Sequence, residues 1–425
     1  MAVGGPVRRG ARNEKAPKVG TARRGLAPRG HGRRSRSRLR RSTDRPPNMA
    51  RSLTCSFVLA GVASLPGALV SQTQIAVPAQ AAVAEGHQTL ALPFGYAGFR
   101  TQLVVDPAAI SPGGAVLNGI RFRVDRYGAP STASVVQNVT VRLSHTTRTL
   151  ALVSTTFANN ETETPVIVYQ GSVSVPGYSD RPAGARPWAI EVLFPTPFVY
   201  TAAQGRLLID IEAAGTNPPG PGGTVPTCFV DAAEPGGSAG NFGEQGGGAT
   251  VANDLRLRVT TSTGGSPITL SLGNTVDFVS TLILPPRPGV FAISTSALAT
   301  PVDLTAIGAP HNSLFIAPEV IVPLNWSPSL IGSFASVPLA VPSNPALLDA
   351  LLYGQSAIFD PTANQLGLLV CEPVEVRIGD PNEPSLVRQV DATDFAATAG
   401  AIVNFGSFSA PRYAAAVFQL DGIFF

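Results

Sequence analysis

Residues 119–125 read GIRFRVD, and this strict alternation of apolar and charged side chains constrains the fold more than any other feature of the chain. Successive side chains of a strand point to opposite faces, so period two marks a strand with one buried face. Ile120, Phe122 and Val124 are expected inward, and Arg121, Arg123 and Asp125 toward water. The pattern returns in NVTVRLSH at 138–145, where Val139, Val141 and Leu143 alternate with Thr140, Arg142 and Ser144. PVIVYQGSVSV, PWAIEVLF, GRLLIDIEA and NDLRLRVTT continue it as far as residue 261. With 43 Gly and 39 Pro among 425 residues, turns are plentiful enough to join many short strands. The expected fold class is all-β, with two antiparallel, jelly-roll-like β-sandwich domains in tandem.

Domain limits follow from breaks in the alternation. A first sandwich is expected over 86–262, interrupted by a Gly/Pro-rich loop at 215–251, the first place to look for a ligand. STGGS at 262–266 reads as a linker to a second β domain over 263–425. Its last strand, in YAAAVFQLDGIFF, is expected to dock onto that same domain.

The basic character of the whole chain is local. Residues 1–48 hold 15 of its 31 Lys and Arg but only Glu14 and Asp44 of its 27 acids, which leaves the remainder at a formal charge of −9. An acidic body without lysine offers no footprint for phosphates, so nucleic acid is not an expected partner. From Met49, Arg51 precedes a mostly apolar run at 53–70, the shape of a secretory signal over 49–81. Cleavage is expected after Ser71 or after Ala81. Residues 1–48 are then a leader upstream of the true start, or an extended basic region. Past Val70 no apolar run is long enough to span a bilayer, so the product is expected to be secreted or held at the cell surface.

Chemistry-bearing residues are sparse. Asp210 and Glu212 share a strand face at i and i+2, a spacing that suits an acid pair or an exposed charge ladder completed by Arg256 and Arg258. Trp326, in LNWSPS, is the candidate for stacking against a sugar, whereas Trp188 opens a strand and suits a core. GGSAG at 236–240 matches the G-x-S-x-G pattern around Ser238, but lacks the strand and helix that expose such a nucleophile. His87, His145 and His311 are too scattered to supply its base. No His/Cys cluster suggests a metal, and no cofactor is expected. Asn138, Asn160 and Asn325 begin N-x-S/T sequons. Cys228 and Cys371 form either one disulfide or two separate buried thiols.

The run from residue 335 to 379 carries a fuller signature. Leu347, Leu348, Leu351 and Leu352 form an apolar stretch, and Tyr353 and Gln355 a Tyr-x-Gln step. Asp360, Pro361, Ala363 and Asn364 make a turn, Leu366 and Gly367 a Leu-Gly step, and Ile378 and Gly379 the close. This succession resembles the C-terminal module of secreted β-rich proteins of Planctomycetes, and STTFANN at 154–160 and TPFVYTAAQGRLLIDIE at 196–212 resemble their front half. The resemblance implies an exported β protein without assigned activity, so no catalytic residues carry over. Such modules often have Gly-Cys where this chain has His311 and Asn312, so a disulfide there is not expected to transfer. Asn344 and Pro345 suit the start of a helical turn, residues 351–359 a strand covered on both faces, and Asp360 a turn whose carboxylate accepts backbone N–H groups. The expected role is a non-catalytic binding or structural module, with extracellular polysaccharide or surface proteins as partners. The competing role is a carbohydrate-binding or carbohydrate-active protein built on the first sandwich.

Overall fold

The computed structural model describes residues 74–86, 88–126, 132–215, 228–233, 235–243, 255–261, 270–282, 285–329, 332–403 and 414–425, all within the compact unit Leu65–Phe425. The leader, the apolar run at 53–70, His87 and most of the Gly/Pro-rich loop lie outside the described residues. The fold is all-β: every described helix is a single short 3-10 turn, and the sheets are antiparallel.

Two large sheets enclose the first core. A six-stranded sheet runs in the order Ala401–Ile402, Val387–Ala392, Gly98–Val105, Arg206–Ala214, Ser134–Thr146, Val166–Val175. Facing it, a four-stranded sheet runs Gln74–Val77, Phe418–Phe424, Gly114–Phe122, Ile190–Thr201. Phe99, Leu103, Val141, Ile209 and Ile211 of one meet Ile120, Phe122, Val192, Phe418 and Leu420 of the other. The second core lies between Ser238–Asn241, Val374–Arg377, Leu351–Phe359, Gly289–Ser294 and Val320–Pro323 on one side, and Leu255–Thr261, Thr275–Leu282, Gly332–Ala340 and Ser327–Ser329 on the other.

Strand pairing redraws the expected boundary. Ser238–Asn241, read as part of the irregular loop at 215–251, is a strand, and both it and Leu255–Thr261, read as the last strand of the first domain, belong to sheets of the second core. Conversely, Val387–Ala392 pairs with Gly98–Val105, and Phe418–Phe424 lies between Gln74–Val77 and Gly114–Phe122. The tail therefore completes the first core and does not dock onto the second. Alternation reports that a segment is a strand with one buried face; it carries no information on which distant strand supplies the hydrogen bonds.

The expected outward face of the six-stranded sheet is covered as well. Val104, Leu208 and Val390, which alternate with first-core positions, pack with Val153 and Phe157 in a separate small cluster. Ser144 and Asp210 are consequently buried. Arg123 and Asp125, placed toward water by the alternation, are buried too, for reasons given below.

The 344–379 signature takes the form read from it. Asn344 Oδ1 accepts the Ala346 N–H at 3.1 Å, ahead of a 3-10 turn at Pro345–Leu347. Leu351–Phe359 is a strand, and Asp360 Oδ1 accepts the Thr362 N–H at 2.9 Å. Buried Gln355 binds three main-chain groups: Nε2 donates to Ser313 O and Cys371 O, each at 3.0 Å, and Oε1 accepts the Phe315 N–H at 3.1 Å. Replacing Gln355 by Leu strands all three in an apolar setting. The expected cost is ~3 kcal/mol or more, read as a lower urea midpoint at unchanged m-value.

Candidate functional site

The acid pair singled out in the sequence is held by arginines from neighbouring strands. Antiparallel register sets Gln102 and Arg142 on either side of Asp210, and Arg100 and Thr140 beside Glu212. Arg100 grips Asp210 with two bonds, Nε to Oδ1 at 3.1 Å and Nη2 to Oδ2 at 2.6 Å, and its Nη2 also reaches Glu161 at 3.0 Å. Arg142 Nη2 bonds Glu212 at 2.5 Å. Its side-chain hydrogen bond to Glu212 holds the Arg142 guanidinium above its ordinary range against the effect of burial. A charge ladder is therefore present, but with Arg100 and Arg142 in place of Arg256 and Arg258, which oppose Thr281 and Val279 at the second core.

Other candidates are likewise committed to the fold. His145 uses both ring nitrogens: Nδ1 faces Glu163 at 2.8 Å and Nε2 accepts the Thr201 N–H at 3.0 Å, while the ring stacks on Tyr200 at 5.5 Å. Ser238 is a strand residue paired with Arg377 and lies on no nucleophile elbow. Trp326 is half-buried against the second core, and its indole N–H donates to Arg287 O at 2.5 Å. Trp188 covers the Arg123 guanidinium at 4.6 Å. Cys228 and Cys371 are free thiols in different hydrophobic cores, so no disulfide joins them, and burial pushes each up to about 12. Asn160 is fully buried and donates to Gln102 Oε1 and Ser154 O, which removes its sequon from the surface. Among the described residues no group of three His, Cys, Asp or Glu side chains is placed to hold a metal ion.

Sequence reasoning missed a cluster of buried charges. Arg123 is fully enclosed: Nε bonds Asp231 at 2.7 Å, Nη1 the Ala81 carbonyl at 2.7 Å and Nη2 the Ala84 carbonyl at 2.6 Å. Glu85 Oε1 accepts the Arg186 N–H at 2.8 Å. Burial first, and Asp231 second, push the Glu85 carboxyl well above its ordinary range. Arg126 bonds Glu375 at 2.8 Å and the carbonyls of Pro182 and Gly184 at 3.3 and 2.9 Å, while Glu375 Oε2 accepts the Gly184 N–H at 3.0 Å. Residues 180–186 are thus fastened from beneath by Glu85, Arg126 and Glu375.

That fastened loop forms one wall of an open cleft of about 590 Å³. Asp180 and Arg181 line this wall; Asp303, Thr305, His311 and Ser313 line the other, and Phe315 contributes an aromatic edge. Arg181 Nη1 is tied to Glu372 at 2.9 Å, and its carbonyl accepts the Gly243 N–H. Gly243 has φ 73°, and a Cβ there would lie 2.4 Å from the Phe315 ring, so glycine is needed for both conformation and space. Asp303 Oδ1 accepts the Thr305 N–H at 2.9 Å; the side-chain and backbone hydrogen bonds of Thr305 hold its carboxyl below the usual range.

His311 stands exposed at φ 61°, a left-handed conformation that a side chain with a Cβ rarely adopts. Asn312, fully buried, enforces it: Nδ2 donates to Pro310 O at 3.0 Å, Oδ1 accepts the Val370 N–H at 2.8 Å, and its carbonyl accepts the Leu304 N–H at 2.9 Å. In the sequence His311 stands only as one of three scattered histidines past the leader, with no sign of this conformation. Nothing local in the sequence announces the opposite wall.

No protein-family model matches this sequence, and no match was found among curated proteins or solved structures.

One enclosed acid outside the cleft titrates near neutrality. Asp391 is partly exposed as a residue, but its carboxyl group receives only the neutral donors Thr101 Oγ1 and Gln389 Nε2, each at 2.9 Å, and burial pushes it up to about 7. A folded-state value above the unfolded one means that the native protein holds the extra proton, so this group's contribution is greatest near pH 4 and falls as pH rises toward 7. Asp391→Asn is expected to flatten that decline and to raise stability at pH 8 by roughly 2–4 kcal/mol. Denaturant unfolding of both forms across pH 4–8 checks it.

Proposed function

We propose that this protein is an exported, non-catalytic module of the cell surface or extracellular space that holds a ligand in the cleft between residues 180–186 and the Ala297–Asp303 and Ser313–Ile316 hairpin. The observation that carries the reading is the contrast between the two kinds of polar group. Asp210, Glu212 and His145 are consumed by structural partners, whereas Asp303, His311 and Ser313 line open space on a rigid frame. Extracellular polysaccharides or surface proteins are the partners that this localisation offers. In this proposal the two cores are read as jelly-roll-like sandwiches, each interleaved with the other along the chain.

Support for export is the basic and apolar stretch starting at Met49. Cleavage after Ser71 would leave the Gln74–Val77 strand whole. Cleavage after Ala81 would remove that strand and a carbonyl that the buried Arg123 needs. Among the described residues no helix is long and apolar enough to cross a membrane.

The test is a glycan array run beside a polysaccharide hydrolysis screen on the full chain. Binding without turnover is the expected result. Asp210→Asn should leave binding intact and lower stability by ~3 kcal/mol, the order of cost for breaking one side of a buried ion pair. Turnover that disappears in Asp210→Asn at unchanged stability sinks the non-catalytic reading.

A further inference from the structure

We propose that the cleft recognises a saccharide unit bearing a free amino group, with Asp303 receiving the ammonium and His311, Arg181 and Ser313 the neighbouring hydroxyls. The inference rests on the reading of this cleft as the ligand site, and four observations carry it.

The first is capacity. About 590 Å³ lies within the range of small-ligand sites, roughly 300–1,000 Å³. The second is the mixture of groups. Carboxylates accept, Arg181 donates, and Ser313, Thr305 and His311 do both, which matches sugar hydroxyls that are donor and acceptor at one atom. An extended peptide fits less well, because strand addition needs free main-chain groups, and the Phe315 N–H is already taken by the Gln355 side chain.

The third observation is charge. Arg181 is matched by Glu372 at 2.9 Å, and Arg186 by Asp180 at 3.5 Å. Asp303 forms no ion pair among the described residues, and the Thr305 bonds keep it ionised. His311 is the nearby group that attracts this carboxylate, which is otherwise free to receive a cationic group as its complement.

The fourth is strain. Among the described non-glycine residues with positive φ, His311 alone borders the cleft. Glycine would adopt this conformation without penalty, whereas histidine holds it at a cost in backbone energy. Residues in such conformations concentrate where a ligand is held. His311 lines the cleft and lies near enough to Asp303 to help hold its carboxyl below the usual range.

The test measures binding of the full chain by calorimetry to three probes: a β-1,4-linked glucosamine oligomer, its fully N-acetylated counterpart, and a cello-oligosaccharide of equal length. The pH is mildly acid, so that the amine carries its proton. The glucosamine oligomer is expected to bind at least ~10-fold more tightly than the other two, the effect of one charge-assisted hydrogen bond. Asp303→Asn should erase the preference. His311→Gly should weaken binding of the glucosamine oligomer while the melting temperature holds or rises, an outcome that a purely structural histidine would not give. Equal binding of all three probes, with His311→Gly weakening each, overturns the amine assignment and leaves the cleft as the site. Binding unaffected by His311→Gly, or no binding of any probe, overturns both.

Discussion

Arg123 sits where alternation would have put a solvated side chain, and much of the molecule is arranged to make that position tolerable. An enclosed guanidinium needs its N–H groups bonded and its charge balanced, since an unpaired buried charge costs several kcal/mol. Asp231 supplies the balance, Ala81 and Ala84 supply carbonyls, and Trp188 supplies a π face. These partners come from the N-terminal segment, the small sheet containing Val230–Ala233, and the approach to Ile190–Thr201. A single side chain therefore fixes three stretches distant in sequence. Arg126, three residues further along the chain, repeats the device with Glu375 and the carbonyls of Pro182 and Gly184, and so ties the first core to a strand of the second. The rigidity of the cleft wall derives from these buried bonds.

Such an arrangement specifies geometry more than it adds stability. Well-packed apolar side chains of the same volume would often serve stability as well. Charges differ in being intolerant of displacement: a shift of 1 Å in the loop at 180–186 would stretch the bonds from Arg126 to the Pro182 and Gly184 carbonyls, from the Gly184 N–H to Glu375 and from the Arg186 N–H to Glu85. Directional bonds therefore hold a loop that has little apolar surface of its own, on one side of a polar cleft.

The sequence disclosed local order well and long-range order poorly. Alternation located several of the strands, and the Leu351–Phe359 strand, the Asn344 cap and the Asp360 turn appear as read, because each depends on neighbours within a few residues. Pairing was hidden, since a strand edge looks alike to every possible partner; hence the displaced domain boundary. Burial of Arg123, Ser144 and Asp210 was hidden for a related reason: a second covering layer is contributed by segments remote in sequence, and alternation registers only the first. The cleft was partly legible. His311 was visible as an isolated histidine, whereas its conformation and its relation to Asp180 and Arg181 exist only after the chain has folded. Trp326 shows the reverse error, for a tryptophan flanked by turn residues looked exposed and proved to be tied to Arg287 O.

The pairing of Gln74–Val77 with Phe418–Phe424 has a consequence for the life of the chain before it is folded. The first core needs residues 74–77 and 418–424 together, and the Gly114–Phe122 strand lacks its neighbour on one side until residues 418–424 have been made. Folding of this half cannot proceed outward from the N-terminus as synthesis advances. Until then the growing polypeptide carries an open sheet edge and unburied phenylalanines, a state prone to aggregation. Closure of the sheet then falls to one strand, Phe418–Phe424, which joins Gln74–Val77 to Gly114–Phe122 in a single step.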